Sequence, residues 1–302
     1  MPLFKGISAF PITPSDDHGI VDVDAVGHLV KHLAEAGVDS IGLLGSAGTY
    51  AYLSRTERLR AVRAAVRAVG RQVPLMVGIG ALRTDDAQNL ARDAEAEGAD
   101  GLLMAPVSYT PLTQDEAFEH YATVTATTRL PLCVYNNPST THFTFTPDLL
   151  DRLADLPNIA AVKMPMPSAG TIGNDLKGLR SRATGDLAIG YSGDWGMADA
   201  LIAGAEAFYS VIAGFLPAQA MALAAAIDSR DTNEAARIVR QLRPLCALCR
   251  ELGGVRVAYA AVAQLGLCIA SPPRPILPIS ETDRRRVAKA IWATMGHDGQ
   301  ED

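Results

Sequence analysis

The chain has 302 residues, enough for one large domain or two ordinary ones, and 48% of them are apolar, enough for a sizeable core. Its net charge is −6, from 27 basic and 33 acidic side chains, with no basic cluster denser than Arg284-Arg285-Arg286; nucleic acid is therefore not an expected partner. No apolar run reaches the length of a membrane span, and Met1-Pro2-Leu3-Phe4-Lys5-Gly6 lacks the apolar stretch and cleavage site of a secretory signal. Four cysteines make no disulfide framework in a chain this long, so a reducing cytoplasm is the expected compartment.

Strands and helices alternate from the start. Gly6 to Thr13 is an apolar run bounded by Gly and Pro, a first buried strand, and Asp22 to Gly37 repeats Val26, Leu29, Val30 and Leu33 at helical spacing. Strand 40–44 precedes helix 54–70, strand 73–79 precedes helix 84–98, and strand 101–105 precedes helix 113–128. Strand 130–135 and helix 147–156 follow, then strand 159–163 and a helical stretch over 172–182. Strand 187–191 with helix 197–203, and strand 207–211 with helix 218–228, complete the series.

Eight strand–helix pairs fill about 230 residues. The strands are continuously apolar, as expected when both faces are covered, and eight units point to a closed parallel (β/α)8 TIM barrel rather than an open sheet. No glycine fingerprint follows the first strand, which weakens a dinucleotide-binding reading. Residues 231–302 are read as a C-terminal helical extension packed on a barrel of residues 1–230. It contains helices over 233–253, 255–267 and 282–295, with the proline-rich link Ser271-Pro272-Pro273-Arg274-Pro275 before the last.

Reacting groups of such barrels lie at the C-terminal ends of the strands. The chain has five lysines, at 5, 31, 163, 177 and 289, and Lys163 alone falls at such an end, in Ile159-Ala160-Ala161-Val162-Lys163-Met164-Pro165, where proline is expected to stop the strand. A buried ammonium must be paired or must release its proton. The released form is an amine nucleophile suited to a carbonyl substrate; the alternatives are a lysine paired to a neighbouring carboxylate or a strand end already in solvent. Strand parity puts Ile159, Ala161 and Lys163 on one face, and Cys133 with Tyr135 on the matching face of the preceding strand. Tyr135 is a candidate proton relay, or a core aromatic bonded to a carbonyl. The loop Gly45-Ser46-Ala47-Gly48 is a candidate anion cradle, or simply a tight turn. Amine, phenol and cradle together suit a 2-oxo acid such as pyruvate.

With these stretches in order, the chain resembles the dihydrodipicolinate synthase / N-acetylneuraminate lyase family along nearly its whole length. The resemblance rests on Leu3-Phe4-Lys5-Gly6, Gly45-Ser46-Ala47-Gly48-Thr49 (family GTTGE), Tyr135-Asn136-Asn137-Pro138 (YNxP), Val162-Lys163, Ser192-Gly193-Asp194 (SGDD) and Arg274-Pro275-Ile276-Leu277-Pro278. It implies that Lys163 forms the Schiff base and Tyr135 relays protons, while Ser46 and the N–H of Ala47 bind the carboxylate. It also implies a homotetramer with no metal or organic cofactor.

The chain departs from the family pattern at several of these positions. Ser46-Ala47 replaces two threonines, and Thr49 stands where the family has glutamate. The tyrosine that members lend across a subunit interface falls at Ser108, with Tyr109 next. The arginine of synthase members falls at Thr140, and Tyr209 stands where Ile or Val is usual near the imine. The second substrate is thus not expected to be aspartate semialdehyde. Arg83 is the nearest candidate for a second carboxylate, and His142 and Asp194 are candidate hydroxyl contacts.

His28 and His32 have zinc-like spacing but no third ligand, so a solvated helix face is expected. Cys246-Ala247-Leu248-Cys249 lies in an apolar helix and is expected to pack. The reading is a Schiff-base lyase acting on a 2-oxo acid, by aldol cleavage or condensation, or by dehydration or deamination. The alternative is a 2-oxo acid-binding or regulatory barrel without turnover.

Overall fold

The computed structural model describes residues 3–182 and 186–296. Eight parallel strands follow one another around a closed barrel: β1 Gly6–Ala9, β2 Ser40–Leu43, β3 Leu75–Gly78, β4 Gly101–Met104, β5 Leu132–Tyr135, β6 Ile159–Pro165, β7 Ala188–Ser192 and β8 Ala207–Ser210, with β8 pairing back to β1. Helices α1 Val23–Glu35, α2 Arg55–Val69, α3 Thr84–Glu97 and α4 Gln114–Thr125 cover the first half of the barrel. The one-turn α5 Pro138–Thr141 is followed by α6 Pro147–Ala154, α7 Ile172–Arg182, α8 Met197–Ile202 and α9 Pro217–Asp228. The starts are chemically marked: Asp22 accepts the N–H groups of Asp24 and Ala25, Ser54 accepts that of Glu57, and Thr113 with Glu116 forms a capping box.

Two apolar layers explain why the strands do not alternate. The inner one, inside the barrel, contains Phe10, Met76, Leu103, Cys133, Tyr135, Ala161 and Tyr209. The outer one, between strands and helices, contains Val77, Leu102, Val134, Val162, Ile189 and Phe208. Odd and even residues of one strand thus enter two different cores, and both must be apolar.

The structure corrects two strand ends. β1 stops at Ala9 rather than Thr13: Phe10 N–H still donates to Ser210 O (2.8 Å), but Pro11 has no N–H with which to continue. β6 does not stop before proline but runs through Pro165, which lies opposite Ser192. Proline removes only its own donor, and the next N–H, of Met166, donates to Ser192 O at 3.1 Å.

Three helices follow the eighth unit: α10 Thr232–Leu252, α11 Gly254–Gln264 and α12 Glu281–Thr294. They are tied to the segment after β1. Tyr259 Oη donates to Thr13 O (3.1 Å), Ser271 N–H to Ser15 O (3.1 Å) and Arg274 N–H to Asp17 O (3.0 Å). Among the described residues no helix is long and apolar enough to cross a membrane.

Candidate active site

The site is set by which strand positions are small. At Gly42 on β2 an added Cβ would lie 2.2 Å from Phe10 Cζ, and at Gly45 2.5 Å from Phe10 Cδ1; these two glycines let the Phe10 ring lie across the barrel end. Gly190 on β7 does the same for Tyr209, whose Cε2 would be 2.6 Å from an added Cβ. Lys163 faces Tyr135 on β5 and Gly190 on β7 in register, so its side chain rises into the space these residues leave.

Lys163 is 4% exposed. Its Nζ lies 3.7 Å from the ring centre of Phe10, 4.2 Å from that of Tyr135 and 5.3 Å from that of Tyr209. It takes part in none of the ion pairs among the described residues. Of the three options open to this lysine, a carboxylate partner and a solvated strand end are therefore both absent. Aromatic faces favour an ammonium, but loss of hydration outweighs them and brings the Lys163 pKa down to about 7. Cys133 and Asp194 pull the other way. Cys133, pushed up to about 12 by burial, stays a neutral thiol near pH 7 and offers the lysine little charge.

Tyr135 Oη is 2.9 Å from Ser46 Oγ and accepts a hydrogen bond from Asn137 Nδ2 at 2.8 Å. Burial raises the pKa of this phenol, and both hydrogen bonds oppose the rise. Ser46 is delivered by a sharp turn after β2. Leu44 adopts φ 56°, over Gly78, where an added Cβ would lie 1.9 Å from Leu44 O. Thr49, also left-handed at φ 53°, closes the loop with its N–H on Ser46 O (3.1 Å), and its hydroxyl is 3.4 Å from Tyr259 Oη. Ala47 is buried in this loop beside Ser46.

The structure thus brings Lys163, Tyr135, Ser46, Ala47 and Tyr209 to one end of the barrel and leaves other candidates outside. Tyr209 lies beneath the amine, with its hydroxyl 3.6 Å from Cys133 Sγ. Tyr109 is 96% exposed and does not reach the site within one chain. Thr140 is exposed and turns its hydroxyl to Asn137 O (3.3 Å), and His142 is exposed at the end of α5. Two expectations are corrected. Arg83 is bound to Asp85 (2.7 Å) on the surface, because the two meet across the first turn of α3. Asp194 is buried with its carboxylate turned inward, accepting hydrogen bonds from Ser210 Oγ and the N–H groups of Val211 (3.2 Å) and Ile212 (3.4 Å). Its oxygens cap the turn after β8 and are not presented to a substrate hydroxyl.

Phe10 and Asn137 went unread in the sequence. Phe10 lies past the end of β1, and only Gly42 on β2 and Gly45 in the loop after it hint at the ring. Asn137 was visible only as the variable position of a four-residue pattern. Among the described residues no three His, Cys, Asp or Glu side chains are placed to hold a metal, and His28 is exposed on α1. Cys246 and Cys249 are buried in α10.

The Dihydrodipicolinate synthetase family matches residues 3–294 of the chain. A protein of Corynebacterium jeikeium named 4-hydroxy-tetrahydrodipicolinate synthase is 34% identical over 296 residues, covering 96% of this chain and 95% of the relative. One of the same name from Alkalilimnicola ehrlichii is 33% identical over 291 residues, covering 96% and 98%. Among solved structures, a dihydrodipicolinate synthase of Agrobacterium tumefaciens superposes with a TM-score of 0.94 at 53% identity, covering 96% of this chain and 98% of that one. One from Thermotoga maritima has a TM-score of 0.88 at 26% identity, covering 97% and 99%.

Proposed function

Because the chain belongs to the dihydrodipicolinate synthetase family and is a class I, lysine Schiff-base lyase, we propose that it acts on pyruvate or another 2-oxo acid through an imine at Lys163. The observation that carries this reading is the buried amine of Lys163, outside every ion pair of the described residues, beside a phenol already bonded to Ser46. Nζ attacks the 2-oxo carbon; a C–N bond forms, the carbonyl π pair moves to oxygen, and Tyr135 supplies the proton that makes the carbinolamine. The nitrogen then gives one proton back to the phenolate, which passes it to the carbinol hydroxyl; the C–O bond breaks, water departs and the nitrogen lone pair forms the iminium. The iminium draws electrons from the bond to be cleaved or the C–H to be deprotonated. The Ser46 hydroxyl and the N–H of Ala47 are the carboxylate's partners in this reading, and Tyr209 forms the floor under the imine.

The same reading holds that the enzyme is not an efficient dihydrodipicolinate synthase. A second carboxylate at the barrel mouth calls for a fixed, always-charged partner. Thr140 offers one neutral hydroxyl, and that is turned to backbone; Arg83 is held by Asp85. Missing one charge-assisted contact costs about 1.5–3 kcal/mol, roughly one to two powers of ten in affinity. Neutral or differently anchored second substrates are favoured, by carbon–carbon, carbon–oxygen or carbon–nitrogen cleavage. Condensation of pyruvate with aspartate semialdehyde is expected to be slow in the wild type and faster in Thr140→Arg. Vigorous wild-type condensation would sink the specificity argument.

A homotetramer belongs to this reading as well. The 96% exposure of Tyr109 and 67% exposure of Leu82 support a further copy covering that edge. The four free cysteines support a cytoplasmic setting.

A further inference from the structure

An asparagine at a helix N-cap ordinarily turns its side chain onto the N–H groups of the first turn. Asn137 is the N-cap of α5, yet its side chain makes no such bond. It is aimed back at the site: Nδ2 donates to Tyr135 Oη at 2.8 Å, while Oδ1 accepts from Ser139 Oγ at 2.7 Å. In this arrangement the Ser139 hydroxyl takes up Oδ1 and the amide N–H group faces the phenol. The residue's backbone is held as firmly. Asn137 O accepts the N–H groups of Thr140 and Thr141 (both 3.1 Å) and the Thr141 hydroxyl (3.0 Å).

An amide N–H can only donate. Of the phenol's two partners, then, Ser46 alone can accept the phenolic proton, over 2.9 Å. We propose that Asn137 is a positioning residue of the proton network, an amide donor that aims the Tyr135 proton at Ser46 and stabilises the phenolate. Asn137 supplies the phenol's second partner from the same chain, and Tyr109, 96% exposed, is not needed for it. The proposal rests on the imine reading above for its catalytic meaning, although the hydrogen bond itself can be tested without any substrate. An amide cannot pass a proton onward, so apart from the reacting atoms themselves Ser46 is the group through which Tyr135 exchanges protons. Burial raises the phenol's pKa and the Asn137 bond works against that rise, which is the direction a proton-shuttling tyrosine needs.

Asn137→Asp keeps the shape but cannot donate, and Asn137→Ala removes both bonds. Each is expected to slow imine formation with pyruvate, read by timed borohydride quenching, about 10- to 100-fold, with less than about threefold change in half-saturating pyruvate. In a Tyr135→Phe background Asn137→Ala should add less than about twofold, since its effect acts through the phenol. The substrate-free readout is the ultraviolet tyrosinate titration, taken as the difference between each protein and its Tyr135→Phe counterpart. Asn137→Ala should move the Tyr135 titration up by about one pH unit. A titration unmoved in both variants overturns the proposal, as does a wild-type rate in Asn137→Asp or a multiplicative effect in the Tyr135→Phe background. Absence of any adduct in the wild type would instead sink the imine reading, and the titration would still decide the role of Asn137.

Discussion

An ordinary lysine keeps its proton to above pH 10, whereas Lys163 gives its proton up near 7 because the barrel interior cannot hydrate the charge. Between those values the unfolded chain binds a proton that the native protein has released, so stability rises with pH across that window, and below pH 7 the whole cost is present. The gap corresponds to roughly 4–5 kcal/mol as an upper bound. Lys163→Met, of similar length and without charge, is therefore expected to resist urea better than the wild type at pH 6, with the advantage shrinking towards pH 10. Equal or lower stability of the variant at pH 6 would show that the aromatic faces of Phe10, Tyr135 and Tyr209 already compensate the charge. Lysine and tyrosine were legible in the sequence because strand parity and a single well-placed lysine suffice to find them. Phe10 and Asn137 were not, since each acts through a side chain whose direction is set by residues far off in the chain or by a cap left unmade.

Short parallel strands can present this chemistry only if specific positions carry no side chain. Gly42→Ala would place a methyl 2.2 Å from Phe10 Cζ, and the buried ring has to swing off Lys163 or the strand has to shift. The expected cost is about 1–3 kcal/mol, the range for overpacking a core. Water admitted beside the amine would also move the acid limb of imine formation to higher pH. A variant with unchanged melting temperature and unchanged pH profile would mean that Phe10 does not seal the site. Every expected strand and helix of the barrel is present. The errors fall at ends such as Ala9 and Pro165, where one missing N–H decides whether the ladder continues, and proline reads alike in both cases. The one-turn α5 was not expected at all: four residues are too few for a period, and Pro138 reads equally well as a turn.

For the molecule as a whole, closure of eight strands supplies one mouth at which β2, β5, β6 and β8 each contribute a group. Of the last three helices, α11 bears on that mouth through Tyr259, which bonds the segment after β1 and lies against Thr49 of the serine loop. Fold class was readable from eight apolar runs because each strand belongs to two cores. The exposed site candidates were not, because a sequence motif does not say which way a loop side chain turns: Tyr109, Thr140 and His142 all point away from the amine or out to solvent. The central claim is that the intact protein offers one reactive amine to a 2-oxo acid, and it meets its most direct test in borohydride reduction in the presence of pyruvate and larger 2-oxo acids, read by intact mass and peptide mapping. The account predicts a single reduced adduct on the peptide containing Lys163, lost in Lys163→Met. An adduct on Lys5, Lys31, Lys177 or Lys289 instead, or none with any 2-oxo acid, would contradict it.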